Sequence, residues 1–183
     1  CAAIEPILEQ KGPVLYCLAN AGRVQSGSYV FFTLYPSEAM LSATYRYFLQ
    51  RKLKKVAYIV STDGGGQAAE AAILSQAALP ENKDIALVAK EHFAPGDISV
   101  SAQMARIKAA APDALIAWAT GAGAGTMFRG ARDAGIDLPT LGSSWDMSAA
   151  FFKQFGALLP SNLYFAAPPY YARNAVTNRA TNA

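Results

Sequence analysis

Histidine is almost missing from this chain: His92 is the only one. Histidine is the commonest general base and metal ligand at neutral pH, so its scarcity narrows the chemistry at once. His92 lies in the strand-to-loop stretch KEHFAPG, which reads as a surface or packing position away from the expected cleft edge. No G-x-S-x-G elbow accompanies it, and no pattern suggests paired carboxylates. Cysteine is scarce too. Cys1 and Cys17 lack metal-site spacing, and one histidine cannot complete a metal site. Charged residues are only 16% of the chain, with a formal net charge of +3. KLKK at 52–55 is the sole dense basic run and reads as a solvated helix end, where cations suit the dipole. A nucleic-acid partner needs a clustered basic face, and none is present. No apolar run reaches the roughly 18 residues that span a bilayer. No signal peptide is visible.

What remains is a globular composition. Hydrophobic residues make up 52% of 183, enough for one sizeable core or for one domain and part of another. The chain opens on Cys1 in what reads as the first turn of a helix. A mature lipoprotein also begins with cysteine, but no lipobox precedes this one, so the expectation is a sequence that begins inside a domain. A helix and its following strand run antiparallel, which brings Cys1 towards Cys17. A disulfide in an oxidising compartment and two buried small side chains are both open readings.

Hydrophobic periodicity predicts helix 2–11, strand 13–17, loop 18–28 and strand 29–34. A break at 35–37 follows, with Ser37 as N-cap of a helix from Glu38 to about Lys52. Met40, Leu41, Thr44, Phe48 and Leu49 give that helix a buried face. Then come strand 55–60, helix 65–79, strand 84–91, helix 99–110, strand 113–119, helix 124–134, strand 139–142, helix 148–156 and strand 162–167. Pro112 stops one helix, and Gly135 stands where a helix C′ glycine belongs. Five strands alternating with helices make a doubly wound α/β unit.

Each of these strands hands over to small or polar residues: STDGGGQ, TGAGAG and SSWDMS. In open parallel sheets ligands sit outside the carboxyl ends of the strands. TGAGAG resembles a dinucleotide loop, but Gly121, Gly123 and Gly125 miss the G-x-G-x-x-G register, since Thr126 stands where the last glycine belongs. Small polar edges without catalytic groups point to binding a solute rather than transforming one.

Several stretches together resemble the branched-chain amino-acid-binding family of type I periplasmic solute-binding proteins, which serve ABC importers. They are PILEQKGPVLYCLANA, YVFFTLYPSEAM, KKVAYIVSTDGGGQ, APGDISVSAQMARIKAAAPDALIAWATG and FRGARDAGIDLPTLGSS. The resemblance covers about residues 2–169. It implies an α/β fold of two Rossmann-like lobes with parallel sheets, lobe one being incomplete. Residues 1–35 would belong to lobe one, 36–167 to lobe two, and 168–183 to the crossover back. The segments Thr33–Ser37 and Ala166–Pro169 would be the hinges.

The resemblance also implies a ligand site between the lobes. From lobe one it takes Ala19, Asn20 and Ala21, whose small side chains expose backbone N–H groups suited to a carboxylate; an ordinary turn is the alternative. From lobe two it takes Asp63 and Gly64, Thr120 and Gly121, and Ser144, Trp145 and Asp146. Gly64 replaces an aromatic residue common in the family, which implies a roomier site. Ser144 replaces the acidic residue with which amino-acid binders meet the α-ammonium. A charge buried in a cleft needs a counter-charge, which leaves Asp146 or Asp63 to supply it. The expectation leans to a carboxylate lacking an ammonium, such as an aromatic acid, with Trp145 or Trp118 stacking on a ring. Trp118 at a strand end reads first as core, and Arg23 in loop 18–28 first as a solvated residue, with pairing to a carboxylate as its alternative.

The function so implied is extracytoplasmic solute binding for an ABC permease in the membrane. The solute would carry a carboxylate, as an amino acid or aromatic acid does. No cofactor, metal or nucleic acid is implied, and the localisation would be periplasmic. A sensory receptor's ligand-binding domain would use the same fold, and a nucleotide-dependent enzyme is the remaining alternative.

Overall fold

The structure is a computed structural model, and it describes residues 5–8, 12–17, 27–32 and 36–167. A short helix α1 (Glu5–Leu8) precedes β1 (Leu15–Cys17) and β2 (Val30–Phe32). These two strands pair in parallel, Leu15 opposite Val30 and Cys17 opposite Phe32, as a sheet of their own. The expected helix 2–11 and strand 29–34 extend into residues outside those described. Cys17 is fully buried and disulfide-bonded, which resolves the choice left open at this residue.

The larger unit follows from α2 (Ser37–Gln50), β3 (Lys55–Ser61), α3 (Gly64–Ala77), β4 (Ala86–Phe93) and α4 (Ser101–Ala109). It continues with β5 (Ala114–Trp118), α5 (Gly121–Asp133), β6 (Thr140–Gly142), α6 (Ala149–Phe155) and β7 (Leu163–Phe165). All five strands are parallel, in the order β4-β3-β5-β6-β7. Val56, Tyr58 and Val60 of β3 point to one face and Ala57 and Ile59 to the other, and all five are buried. A strand covered on both faces is a continuous apolar run, as AYIV and ALIAW are.

Alternation along β3 and β5 sorts the helices. The first face packs Met40, Leu41, Tyr45 and Phe48 of α2 and Ala69, Ala72 and Ile73 of α3 on Tyr58, Ile116 and Trp118. The second packs Met104 and Ile107 of α4, Met127 and Phe128 of α5 and Phe151 of α6 on Ile59 and Leu115. The buried Tyr45 hydroxyl donates to the Ile73 carbonyl at 3.0 Å, locking α2 to α3. Asp113, ahead of β5, accepts the Lys54 and Lys55 N–H groups at 2.9 and 2.8 Å and so pins the start of β3. The Lys55 and Lys54 amides hold this carboxyl below the usual carboxylate range.

Three local expectations are corrected. Ser37 is not the N-cap of α2: the chain arrives extended through Pro36 (φ −66°, ψ 142°), and Ser37 is already helical and buried. KLKK is not a helix end: α2 stops at Gln50, Lys52 takes a positive φ of 57°, and Lys55 opens β3. Helix α5 begins at Gly121 rather than residue 124, so TGAGAG is its first turn and not a loop before it. Its glycines explain why. A Cβ on Gly125 would run into the Phe155 ring, so their small size lets α5 and α6 close together. Gly135 does sit past the end of α5 with φ 65°, as a C′ glycine should.

Candidate functional site

The strand order reverses between β3 and β5. Helix α3 leaves β3 towards one face and α5 leaves β5 towards the other, so their first turns part at the carboxyl edge. That parting is the crevice in which doubly wound sheets take ligands. Three of the chain segments singled out from the sequence border it: 62–66, 119–122 and 143–147.

After β3 the chain turns through Asp63, the N-cap of α3. Its carboxylate accepts the Gly66 N–H at 2.8 Å and the Ser61 hydroxyl at 2.9 Å. Asp63 is therefore engaged in holding its own helix. Gly66 must be glycine, because a Cβ there would meet the Ser61 carbonyl. Around Gly64 no atom lies within 4 Å of a would-be Cβ, so this position opens onto free space.

After β5, Thr120 is extended (φ −130°, ψ 157°) and caps α5 without a side-chain hydrogen bond. Thr120 and Gly121 are both exposed, and Gly121 has φ 60°, a backbone that a side chain would strain. Trp118, one of two candidate ring partners, is 3% exposed and belongs to the core.

After β6 the chain forms a tight 3-10 turn over Ser144–Asp146. The Trp145 N–H donates to the buried Ser143 hydroxyl oxygen at 3.4 Å, and the Ser144 hydroxyl reaches the Met40 sulfur at 2.8 Å. The turn is thereby tied to α2. Trp145 projects outward and is 39% exposed, whereas Asp146 points in and is 5% exposed. Burial pushes the Asp146 carboxyl up to about 7, with the Gly121 amide pulling the other way. This carboxyl thus faces the first turn of α5 and links two crevice loops.

The structure brings Thr120, Gly121, Ser144, Trp145 and Asp146 onto adjacent loops of one edge, with Asp63 and Gly64 across the switch point. Ala19, Asn20, Ala21 and Arg23 lie outside the described residues, as do Thr33–Tyr35 and Pro168–Pro169 of the expected hinges.

His92 is the surface residue of the strand-to-loop stretch that was expected, with its Nε2 2.8 Å from Glu70, but β4 runs on to Phe93 and so sets it near the carboxyl edge rather than away from it. The Tyr58 hydroxyl also donates to Glu70, and these bonds, the tyrosine's first, draw the carboxyl below its usual range. Alternation along β3 was the available signal, since it turns Tyr58 towards α3. A separate cavity of about 440 Å³, lined by Tyr47, Arg51, Pro139 and Tyr164 among others, opens at the amino edge. Among the described residues no group of three or more His, Cys, Asp or Glu side chains is placed to hold a metal ion. No helix among them is long and apolar enough to cross a membrane.

Comparison with known proteins adds to this geometry. A family model described as periplasmic binding protein matches residues 1–183. An extracellular ligand-binding receptor from Rhodopseudomonas palustris HaA2 is 25% identical with a TM-score of 0.65, over 71% of this chain and 35% of its own. The branched-chain amino acid transporter substrate-binding protein LivJ of Streptococcus pneumoniae, solved with isoleucine, is 23% identical (TM-score 0.63; 75% and 38% covered). An ABC-transporter solute-binding protein of R. palustris, solved with benzoate, is 18% identical (TM-score 0.61; 71% and 35% covered). The chain thus spans well under half the length of these structures. No curated protein gives a significant match.

Proposed function

Because the chain belongs to the periplasmic binding protein family, we propose that the protein is the extracytoplasmic solute-binding component of an ABC importer. Its solute is a small carboxylate-bearing molecule, an amino acid or an aromatic acid, taken up between two lobes. The similar proteins from S. pneumoniae and R. palustris, solved with isoleucine and with benzoate, bracket that choice. The observation that carries the reading is the exposed Trp145 beside Thr120 and Gly121 at the switch point of the five-stranded sheet. A half-exposed indole costs apolar hydration when the cleft is open, and a solute that covers it recovers that energy.

In this reading, residues 1–35 contribute to lobe one, 36–167 form lobe two, and the chain crosses between them near Pro36 and Ala166. The lobe-one loop Ala19-Asn20-Ala21 presents backbone N–H groups to the solute carboxylate, and Asn20 adds a side-chain donor. Lobe two offers the Trp145 ring and the unused Thr120 hydroxyl. The solute bridges the lobes, and the closed form is favoured only by as much as it binds that form better. Release then passes to a membrane permease. The disulfide at Cys17 suits an oxidising, extracytoplasmic compartment.

The test is equilibrium binding by the full-length protein carrying Asn20→Ala or Trp145→Ala. Each is expected to weaken the bound solute by about tenfold or more, the loss of one good contact. Unchanged affinity in both variants would refute this site.

A further inference from the structure

The amino edge of the five-stranded unit carries a cavity that the solute-binding reading leaves unused. It lies where α2 ends and where β6 and β7 begin, lined by Tyr47, Arg51, Lys52, Pro139, Asn162 and Tyr164 among others. Helix α2 runs antiparallel to the strands, and its 14 residues span about 21 Å. The cavity thus stands a helix length from the crevice loops at the carboxyl edge. The start of α2 and the end of β7, where the described unit begins and stops, are both at that far edge. The cavity volume of about 440 Å³ falls within the range of small-molecule sites, roughly 300–1,000 Å³.

Among the described residues that line it are two cations and no acid. The Arg51 guanidinium lies over the Tyr47 ring, 5.9 Å from its centroid and one helical turn further on. The Tyr47 and Tyr164 rings meet with centroids 5.1 Å apart, tilted by 43°. The Tyr164 hydroxyl first, then burial, pushes the Tyr47 hydroxyl above the ordinary tyrosine value, while Arg51 draws it back. Two phenols and a guanidinium therefore converge on one wall. The acids closest to this edge are engaged elsewhere. Asp137 receives the Ser161 hydroxyl at 2.9 Å, Asp84 pairs with Lys54 at 3.5 Å, and Asp113 accepts two backbone amides.

The backbone of Lys52 is a second observation. The Leu53 N–H donates to the Phe48 carbonyl at 2.9 Å, closing a Schellman turn over Lys52 at φ 57°. This position past a helix end favours glycine, and a side chain there is strained. A lysine stands at it nonetheless, on the cavity wall. The helix dipole favours a cation near a C-terminus, but a lysine anywhere in the last turn meets that need. The same dipole sets only about half a negative charge against the two full positive ones, so an anion is attracted on balance. We propose that this cavity binds a phosphate monoester with an aromatic body. Its two negative charges match Arg51 and Lys52, where a carboxylate would leave one cation unmatched. The guanidinium fork suits two phosphate oxygens, and the ring lies against Tyr164 and Pro139. A bare phosphate would leave most of the cavity unfilled.

The experiment is calorimetric titration of the full-length protein with phenyl phosphate at pH 7.5, unmodified and as Arg51→Gln, Lys52→Gly and Trp145→Ala. The unmodified protein is expected to bind phenyl phosphate at millimolar concentration or below, and inorganic phosphate more weakly. Arg51→Gln and Lys52→Gly are each expected to weaken phenyl phosphate by about tenfold. Trp145→Ala, at the other edge, is expected to leave it unchanged. Lys52→Gly separates binding from a structural role. Relief of the positive φ should raise the melting temperature of the ligand-free protein while the affinity falls. Unchanged affinity in Lys52→Gly would make the lysine a helix end only and overturn the inference. Absence of binding overturns it, and so does loss of binding in Trp145→Ala alone, which would put phenyl phosphate in the crevice. Binding confined to phosphatidylcholine vesicles that contain phosphatidic acid, with none to phenyl phosphate, would also overturn it by assigning the cations to a membrane surface. The solute-binding reading is tested at Asn20 and Trp145, so the two fail separately.

Discussion

Asp146 shows how one residue reports on the whole crevice. Its carboxyl is raised from 3.8 to about 7 because the turn after β6 buries it. The folded state therefore holds the proton more tightly than the unfolded chain does. The sign follows: below pH 3.8 the residue costs nothing, and stability falls as pH rises through 3.8 to about 7. Asp146→Asn keeps an acceptor for the Gly121 amide and removes the charge. It is expected to stabilise the protein at pH 8 by on the order of 2 kcal/mol, after allowance for solvent screening, and to change little at pH 4. Thermal melts of both proteins at the two pH values check this. A destabilised variant at pH 8 would mean that the ionised carboxylate is held by a partner.

At the scale of elements, the approach of α3 to β3 depends on Gly66. A Cβ there meets the Ser61 backbone carbonyl, while one at Gly64 meets nothing within 4 Å. Gly66→Ala is expected to cost about 1–3 kcal/mol through overpacking, and Gly64→Ala to stay within about 0.5 kcal/mol. Urea titrations of the two variants should separate them clearly. Equal effects would show that the helix can shift off the strand at little cost.

The same scale explains what the sequence disclosed. The five strands and their helices were legible, because KVAYIV and ALIAW are apolar runs too short for helices and each is followed by turn chemistry. Boundaries failed where packing overrode local preference. Glycines at 121, 123 and 125 suggested a loop, yet tight contact with Phe155 and Phe93 favours a helix there. Ser37 has a capping side chain, but Pro36 brings the chain in extended and buries the serine. The crevice loops were legible from their composition and from a family resemblance. The partners of Asp63 and Asp146 were not, because they come from side-chain directions that no local pattern encodes. Nor was the pairing of His92 with Glu70, which joins residues 22 apart in sequence.

At the scale of the molecule, a parallel two-stranded sheet and a parallel five-stranded one are the described parts of a chain that spans 35–38% of the three solved structures compared above. The parallel pair β1–β2 stacks Tyr16 on Phe31 with centroids 5.5 Å apart, both rings exposed. A solute that touches only the five-stranded unit would leave the two units independent. One that also engages Asn20 and its neighbours couples them, and coupling through a hinge changes the overall dimensions. The central claim is therefore one of closure. The most direct test is small-angle X-ray scattering of the full-length protein with and without a small carboxylate solute that calorimetric titration shows it to bind. The account predicts a smaller radius of gyration on saturation, and loss of that contraction in Trp145→Ala at a concentration that saturates the unmodified protein. An unchanged radius with the solute demonstrably bound would contradict it.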